Sequence, residues 1–186
     1  MILVPGSPRR VSLSQACTLA RAVDIPLVVV ISDLSLDEAV AAAERARAGG
    51  IQLHGDESPE MVRELRRRGP WELWKVVRVR SRDDILRALD QFGALVDLLL
   101  LDAWQVGQLG GTGTTFSWEA LDSVREAIPS SVRVGVAGGL SPENVEEAVI
   151  QLEPDLVDVS SGVESSPGTK DHERVREFVR RALAAG

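Results

Sequence analysis

The chain has 186 residues with 28 acidic against 21 basic side chains, and the resulting charge of −7, with the basic residues scattered along helical stretches, argues against a nucleic-acid surface. Its one cysteine, Cys17, excludes an internal disulfide and a multi-cysteine metal site, and its two histidines, His54 and His172, stand too far apart in sequence to suggest a metal pair. No apolar run reaches the ~18 residues of a membrane span, and Met1–Gly6 is too short and lacks the basic lead of a secretory signal, so a cytoplasmic protein with one core is expected.

The elements alternate from the start. Met1–Val4 reads as a strand and Ser12–Val23 as a helix that holds Cys17 as a small core residue. The unbroken β-branched run Leu27–Ile31 reads as a strand buried on both faces. Ser35 then caps a helix running through Ala48, with Asp37 and Glu38 in the first turn, where a helix favours negative charge, and Gly49-Gly50 stops it. Ile51–Leu53 is the next strand, and Ser58-Pro59-Glu60 opens the next helix with Pro at its first position. Strands are predicted at Trp74–Val79, Val96–Leu101, Val132–Ala137 and Leu156–Val159. The helices that follow them span Ser81–Phe92, Trp118–Ala127, Ser141–Leu152 and Asp171–Ala184.

Each strand is followed by a helix, which implies parallel strands with helical crossovers, an α/β fold in one domain over residues 1–186. Seven strand–helix units are legible in the sequence, where a closed TIM barrel has eight. A doubly wound open sheet also accommodates seven, so the number alone leaves both architectures standing.

In both architectures the chemistry sits where strands end. Gly138-Gly139 and Ser161-Gly162 follow the last two strands; either they let backbone N–H groups close on a phosphate, or they only permit tight turns. Asp102 ends an apolar strand, either as a general acid or as a brace for the next loop. The segment Ala103–Thr115, rich in glycine around Gly111, Thr112 and Gly113, is either a cover for the substrate or a plain connection. Arg9 has the planar fork that suits a carboxylate or phosphate, or is a solvated surface group. His54 either contacts substrate or is a hydrogen-bonded structural histidine.

These strand-end segments together resemble one family. Ser7-Pro8-Arg9-Arg10-Val11, Gln52–Glu57 (QLHGDE), Leu100–Ala103, Gly110–Gly113 with Phe116-Ser117-Trp118, Ala137–Leu140 with Pro142–Val145, and Asp158–Glu164 (DVSSGVE) with Pro167-Gly168 and Lys170-Asp171 are similar, in order, to phosphoribosylanthranilate isomerases. The resemblance implies a TIM-type (β/α) barrel and an isomerase of tryptophan biosynthesis. Its reaction would be the Amadori rearrangement of N-(5′-phosphoribosyl)anthranilate to 1-(2-carboxyphenylamino)-1-deoxyribulose 5-phosphate, with no cofactor and no metal. It implies that Asp102 is the general acid that opens the sugar ring and that Arg9 contacts the anthranilate part. By the same resemblance Gly138, Gly139, Ser161 and Gly162 hold the phosphate, and Gly111–Gly113 close over the site.

The family's first strand carries a Val-Lys-Ile-Cys-Gly-type motif whose cysteine is the general base. The sequence has no such motif, and Met1–Val4 resembles the family's second strand. The expectation is therefore a barrel lacking its first βα unit, through a late start or a shortened chain, with Cys17 placed off the catalytic face. A real shortened protein would expose two strand edges, which pairing into a homodimer would cover. The alternatives are a catalytically impaired phosphate-binding remnant of that enzyme, or another phosphosugar barrel isomerase. Among other phosphosugar barrels, a ribulose-phosphate epimerase would bring metal-binding histidines and an indole-glycerol-phosphate synthase an early-strand lysine; neither signature is present. The partner expected is a small phosphosugar, with no nucleic acid and no membrane.

Overall fold

The computed structural model describes residues 1–103, 121 and 124–186, which fall into two compact units: Met1–Val76 with Gln91–Leu98, and Val77–Asp90 with Leu99–Gly186. The strands of the main sheet follow chain order, β1-β2-β3-β4-β5-β6. A doubly wound sheet reverses direction at its middle, so this order selects the barrel winding that the strand count had left open.

The first unit contains α1 (Leu13–Ala22), β1 (Val28–Ile31), α2 (Leu36–Arg45), β2 (Gly50–Leu53), α3 (Pro59–Arg68) and the start of β3 (Glu72–Val79). Strands β1, β2 and β3 pair in parallel, with Val29 opposite Ile51 and Ile51 opposite Leu73. Val29, Ile31, Ile51, Leu53 and Leu73 form a fully buried face. The serine caps form as expected: Ser12 and Ser35 make reciprocal capping boxes with Gln15 and Glu38, and Ser58 caps α3 ahead of Pro59. Helix α2 stops at Arg45, short of the expected Ala48, because Arg47 takes a left-handed φ of +48°. The expected strand Met1–Val4 is reduced to two isolated parallel bridges, Ile2 to Val30 and Ile2 to Arg10, because the Pro5-Gly6 turn bends the chain away (φ +80° at Gly6). Cys17 does lie in α1, but half-buried, its Sγ donating to the Arg45 carbonyl, while neighbouring Ala16 occupies the core.

The remaining elements are α4 (Arg82–Phe92), β4 (Leu98–Ala103), β5 (Arg133–Ala137), α5 (Val145–Leu152), β6 (Leu156–Val157), a small antiparallel hairpin of β7 (Glu164–Ser166) and β8 (Thr169–Lys170), and α6 (His172–Ala185). The hairpin is absent from the sequence-based expectation. Its turn is Pro167-Gly168 with Gly168 at φ +84°, the pairing of fixed and positive φ that a tight turn uses. The helix expected over Trp118–Ala127 lies mostly outside the described residues; at its end Arg125–Ala127 forms a short 3₁₀ turn. Strand β4 begins at Leu98, later than expected, because Asp97 turns its carboxylate to accept from the Leu73 N–H and the Arg66 guanidinium, both at 2.8 Å. No helix of the described residues is long and apolar enough to cross a membrane.

Helix α4 is started by Asp84, which accepts from the backbone N–H groups of Arg80 and Ser81 at 3.0 and 3.1 Å and pairs with the Arg80 and Arg87 guanidiniums. Burial pushes this carboxyl upward, but the hydrogen bonds from Arg80 and Arg87 outweigh it and hold the pKa at about 2. A depressed carboxylate pKa contributes stability that is complete above its unfolded value near 4 and lost as pH falls towards 2. Asp84→Asn is therefore expected to cost about 1–2 kcal/mol in urea unfolding at pH 7, allowing for the exposed arginines. That gap should close progressively between about pH 4 and pH 2.

Candidate active site

The second unit gathers the glycine-bearing strand ends. Beyond β5, Gly138 and Gly139 adopt left-handed φ values of +85° and +69°, a double turn that a residue with a Cβ resists. Asn144, expected to help open a helix, instead folds back. Its Nδ2 donates to the Gly139 carbonyl at 3.0 Å and its Oδ1 accepts from the Ser141 N–H at 2.8 Å, so α5 begins at Val145 and not at the expected Ser141.

The loop after β6 meets this turn directly. A Cβ on Gly162 would lie 1.9 Å from the Leu140 carbonyl oxygen, so the two loops touch backbone to backbone and only glycine fits. Lys170 reaches back from β8 to donate to the Ser160 carbonyl at 2.6 Å and pairs with Glu164 at 3.0 Å. Arg174 on α6 donates through Nε to the Gly162 carbonyl at 3.0 Å and grips Glu143 with both terminal nitrogens at 2.9 Å. The Ser141 hydroxyl and the Arg174 guanidinium together hold the Glu143 carboxyl at about 2. The carbonyls of Gly139, Ser160 and Gly162 thus face the protein's own donors. Such an arrangement suits an anion approaching through backbone N–H groups. Asp102 is half-buried near the end of β4, the strand next to β5.

Arg9 and His54 belong to the first unit. Arg9 sits half-buried in the turn after Ile2, its N–H donating to the Ser7 hydroxyl at 3.2 Å. His54 follows β2, half-buried, with its Nδ1 3.3 Å from Gln52 Nε2. Around it lies a charged cluster that the sequence reading passed over. Glu57, fully buried, accepts from the N–H groups of Asp33 and Gly55 at 3.1 Å and pairs with Lys75 at 3.0 Å. Lys75 also donates to the carbonyls of Leu53 and Gly55, at 3.3 and 2.6 Å, and lies 5.8 Å from the Phe92 ring centroid. Gly111, Thr112 and Gly113 lie outside the described residues.

Strands that follow chain order in buried parallel ladders, with helices between them, define a TIM-type (β/α) barrel. Phosphoribosylanthranilate isomerase from Thermotoga maritima superposes with a TM-score of 0.88 at 31% identity, over 99% of this chain and 86% of that one. The family model for N-(5′-phosphoribosyl)anthranilate isomerase matches residues 1–181, and the chain belongs to that family. The N-(5′-phosphoribosyl)anthranilate isomerase of Trichormus variabilis is 40% identical over 177 residues, 94% of this chain and 82% of the relative. A phosphoribosylanthranilate isomerase solved with reduced 1-(o-carboxyphenylamino)-1-deoxyribulose 5-phosphate matches with a TM-score of 0.82 at 29% identity, over 99% of this chain and 86% of that one.

The close approach at Gly162 is testable. Gly162→Ala must push the Leu140 carbonyl aside, and the variant should lose about 2 kcal/mol or more in chemical denaturation. Gly139→Ala meets no atom within 4 Å and carries only its φ of +69°. It should lose about 1 kcal/mol.

Proposed function

We propose that this chain catalyses the rearrangement of N-(5′-phosphoribosyl)anthranilate to 1-(2-carboxyphenylamino)-1-deoxyribulose 5-phosphate in tryptophan biosynthesis, in the cytoplasm and without a cofactor. The observation that carries this reading is the meeting of two glycine-bearing loops, with a strand-end carboxylate in the same unit, in a chain of this isomerase family.

The residues take the following parts. Gly138, Gly139, Ser161 and Gly162 receive the phosphate through their backbone, which needs no net charge from the loops. Asp102 donates a proton to the furanose ring oxygen. The C1′–O bond breaks towards that oxygen while the nitrogen lone pair forms the C1′=N bond. Loss of the C2′ proton to a base, a step for which this chain has no residue matching the family's cysteine, gives an enolamine; it takes a proton at C1′ and gives up its C2′ hydroxyl proton to become the ketone. Arg9 pairs with the anthranilate carboxylate, His54 contacts the substrate, and Gly111, Thr112 and Gly113 cover it. Self-association into a homodimer belongs to the same reading and is read by sedimentation.

Phosphoribosylanthranilate is fluorescent, so its disappearance reports turnover. Asp102→Asn, with circular dichroism unchanged, is expected to lower kcat/KM by about 10²–10⁴. Equal rates for the variant and the parent would remove Asp102 from the mechanism. No turnover by the parent chain would remove the activity from these 186 residues.

A further inference from the structure

We infer that Glu57 and Lys75 are positioning residues for His54, forming a clamp that holds the strand end bearing this histidine in its substrate-contacting place. The inference rests on the isomerase reading and adds to it a pair of residues that touch no substrate.

The geometry is specific to one residue. Lys75 Nζ donates to the carbonyls of Leu53 and Gly55, the residues immediately before and after His54. The N–H of His54 itself donates to the Ile31 carbonyl at 2.9 Å, and that of Gly55 donates to Glu57. The backbone is thus held on both sides of the histidine, and Gln52 contacts its ring. A second layer ties the clamp to the end of β1. Asp33, at a left-handed φ of +54°, donates its N–H to Glu57 and accepts from the Asp56 N–H at 2.7 Å. Gly55 has room for no side chain here, since a Cβ would lie 2.4 Å from Asp33 Oδ1.

Stability alone is a weak reason for such a pair. The side chains of Glu57 and Lys75 are 0% and 8% exposed, and desolvating two charges offsets most of their attraction. Apolar residues of similar volume at these positions would often do as well for the fold. What they could not do is bind two carbonyls and two N–H groups around one half-buried histidine. Sites need such support, because a loose supporting shell misplaces the contacting group.

The test is a double-mutant cycle on ligand affinity, using reduced 1-(o-carboxyphenylamino)-1-deoxyribulose 5-phosphate as the probe in calorimetric titration of the full chain. Glu57→Gln should weaken binding by about 10-fold, as expected for a group displaced by a fraction of an ångström. The same change made in a His54→Ala background should weaken it no further, since the clamp then has nothing to position. If Glu57→Gln does not fold, Gly55→Ala displaces Asp33 and should show the same non-additivity. Losses that multiply with His54→Ala, or an unchanged affinity in the single variants, overturn the clamp while leaving the isomerase reading intact. No binding by the parent chain sinks that reading, and the clamp with it.

Discussion

A parallel strand begins with N–H groups and ends with carbonyls that the ladder leaves over, and each needs a partner. This chain answers the two ends with opposite chemistry. At strand starts the partner is a carboxylate: Asp97 accepts from the Leu73 N–H, and Asp155 accepts from the Val134 N–H at 2.7 Å. At strand ends the partner is a cation or an amide: Lys75 on Leu53 and Gly55, Asn144 on Gly139, Lys170 on Ser160, Arg174 on Gly162. The second set fixes the loops that carry the proposed chemistry, so the site's shape follows from satisfying leftover backbone groups.

The fold was legible because its signals are local. Ser12, Ser35 and Ser58 cap helices within three residues of themselves, and the β-branched run Leu27–Ile31 reads as a strand from its own side chains, although Val29 and Ile31 are buried and Val28 and Val30 only half-buried, so one face and not both is fully covered. The glycines after β5 and β6 were equally visible, and the structure brings their loops together at the Leu140 carbonyl. Strand order was not legible, since hydrophobic alternation is the same for a singly wound barrel and a doubly wound sheet; the ladder order decides it.

What escaped the sequence was contact at long range or overruled locally. Lys75 read as one more residue of an apolar strand, and nothing in its neighbours points to Glu57, 18 positions earlier. Asn144 sat in a helix-opening context, Ser-Pro-Glu-Asn, yet the free Gly139 carbonyl competes for its amide and delays the helix. The β7–β8 hairpin had a visible signal in Pro167-Gly168, but strands of two and three residues carry too little periodicity to register.

The charge balance at the strand ends explains why the glycines matter. Every cation bracing these loops already has its own carboxylate: Glu57 for Lys75, Glu164 for Lys170, Glu143 for Arg174. The braces therefore bring almost no net positive charge, and the chain as a whole carries −7. In the proposed reading the phosphate is therefore attracted by backbone N–H dipoles at short range, where orientation decides strength, while Arg9 is left for the carboxylate. On that reading the left-handed turns at Gly138 and Gly139 and the close approach at Gly162 matter because they shape the backbone of the two loops. Lys75, Lys170 and Arg174 act one step removed, by holding the carbonyls.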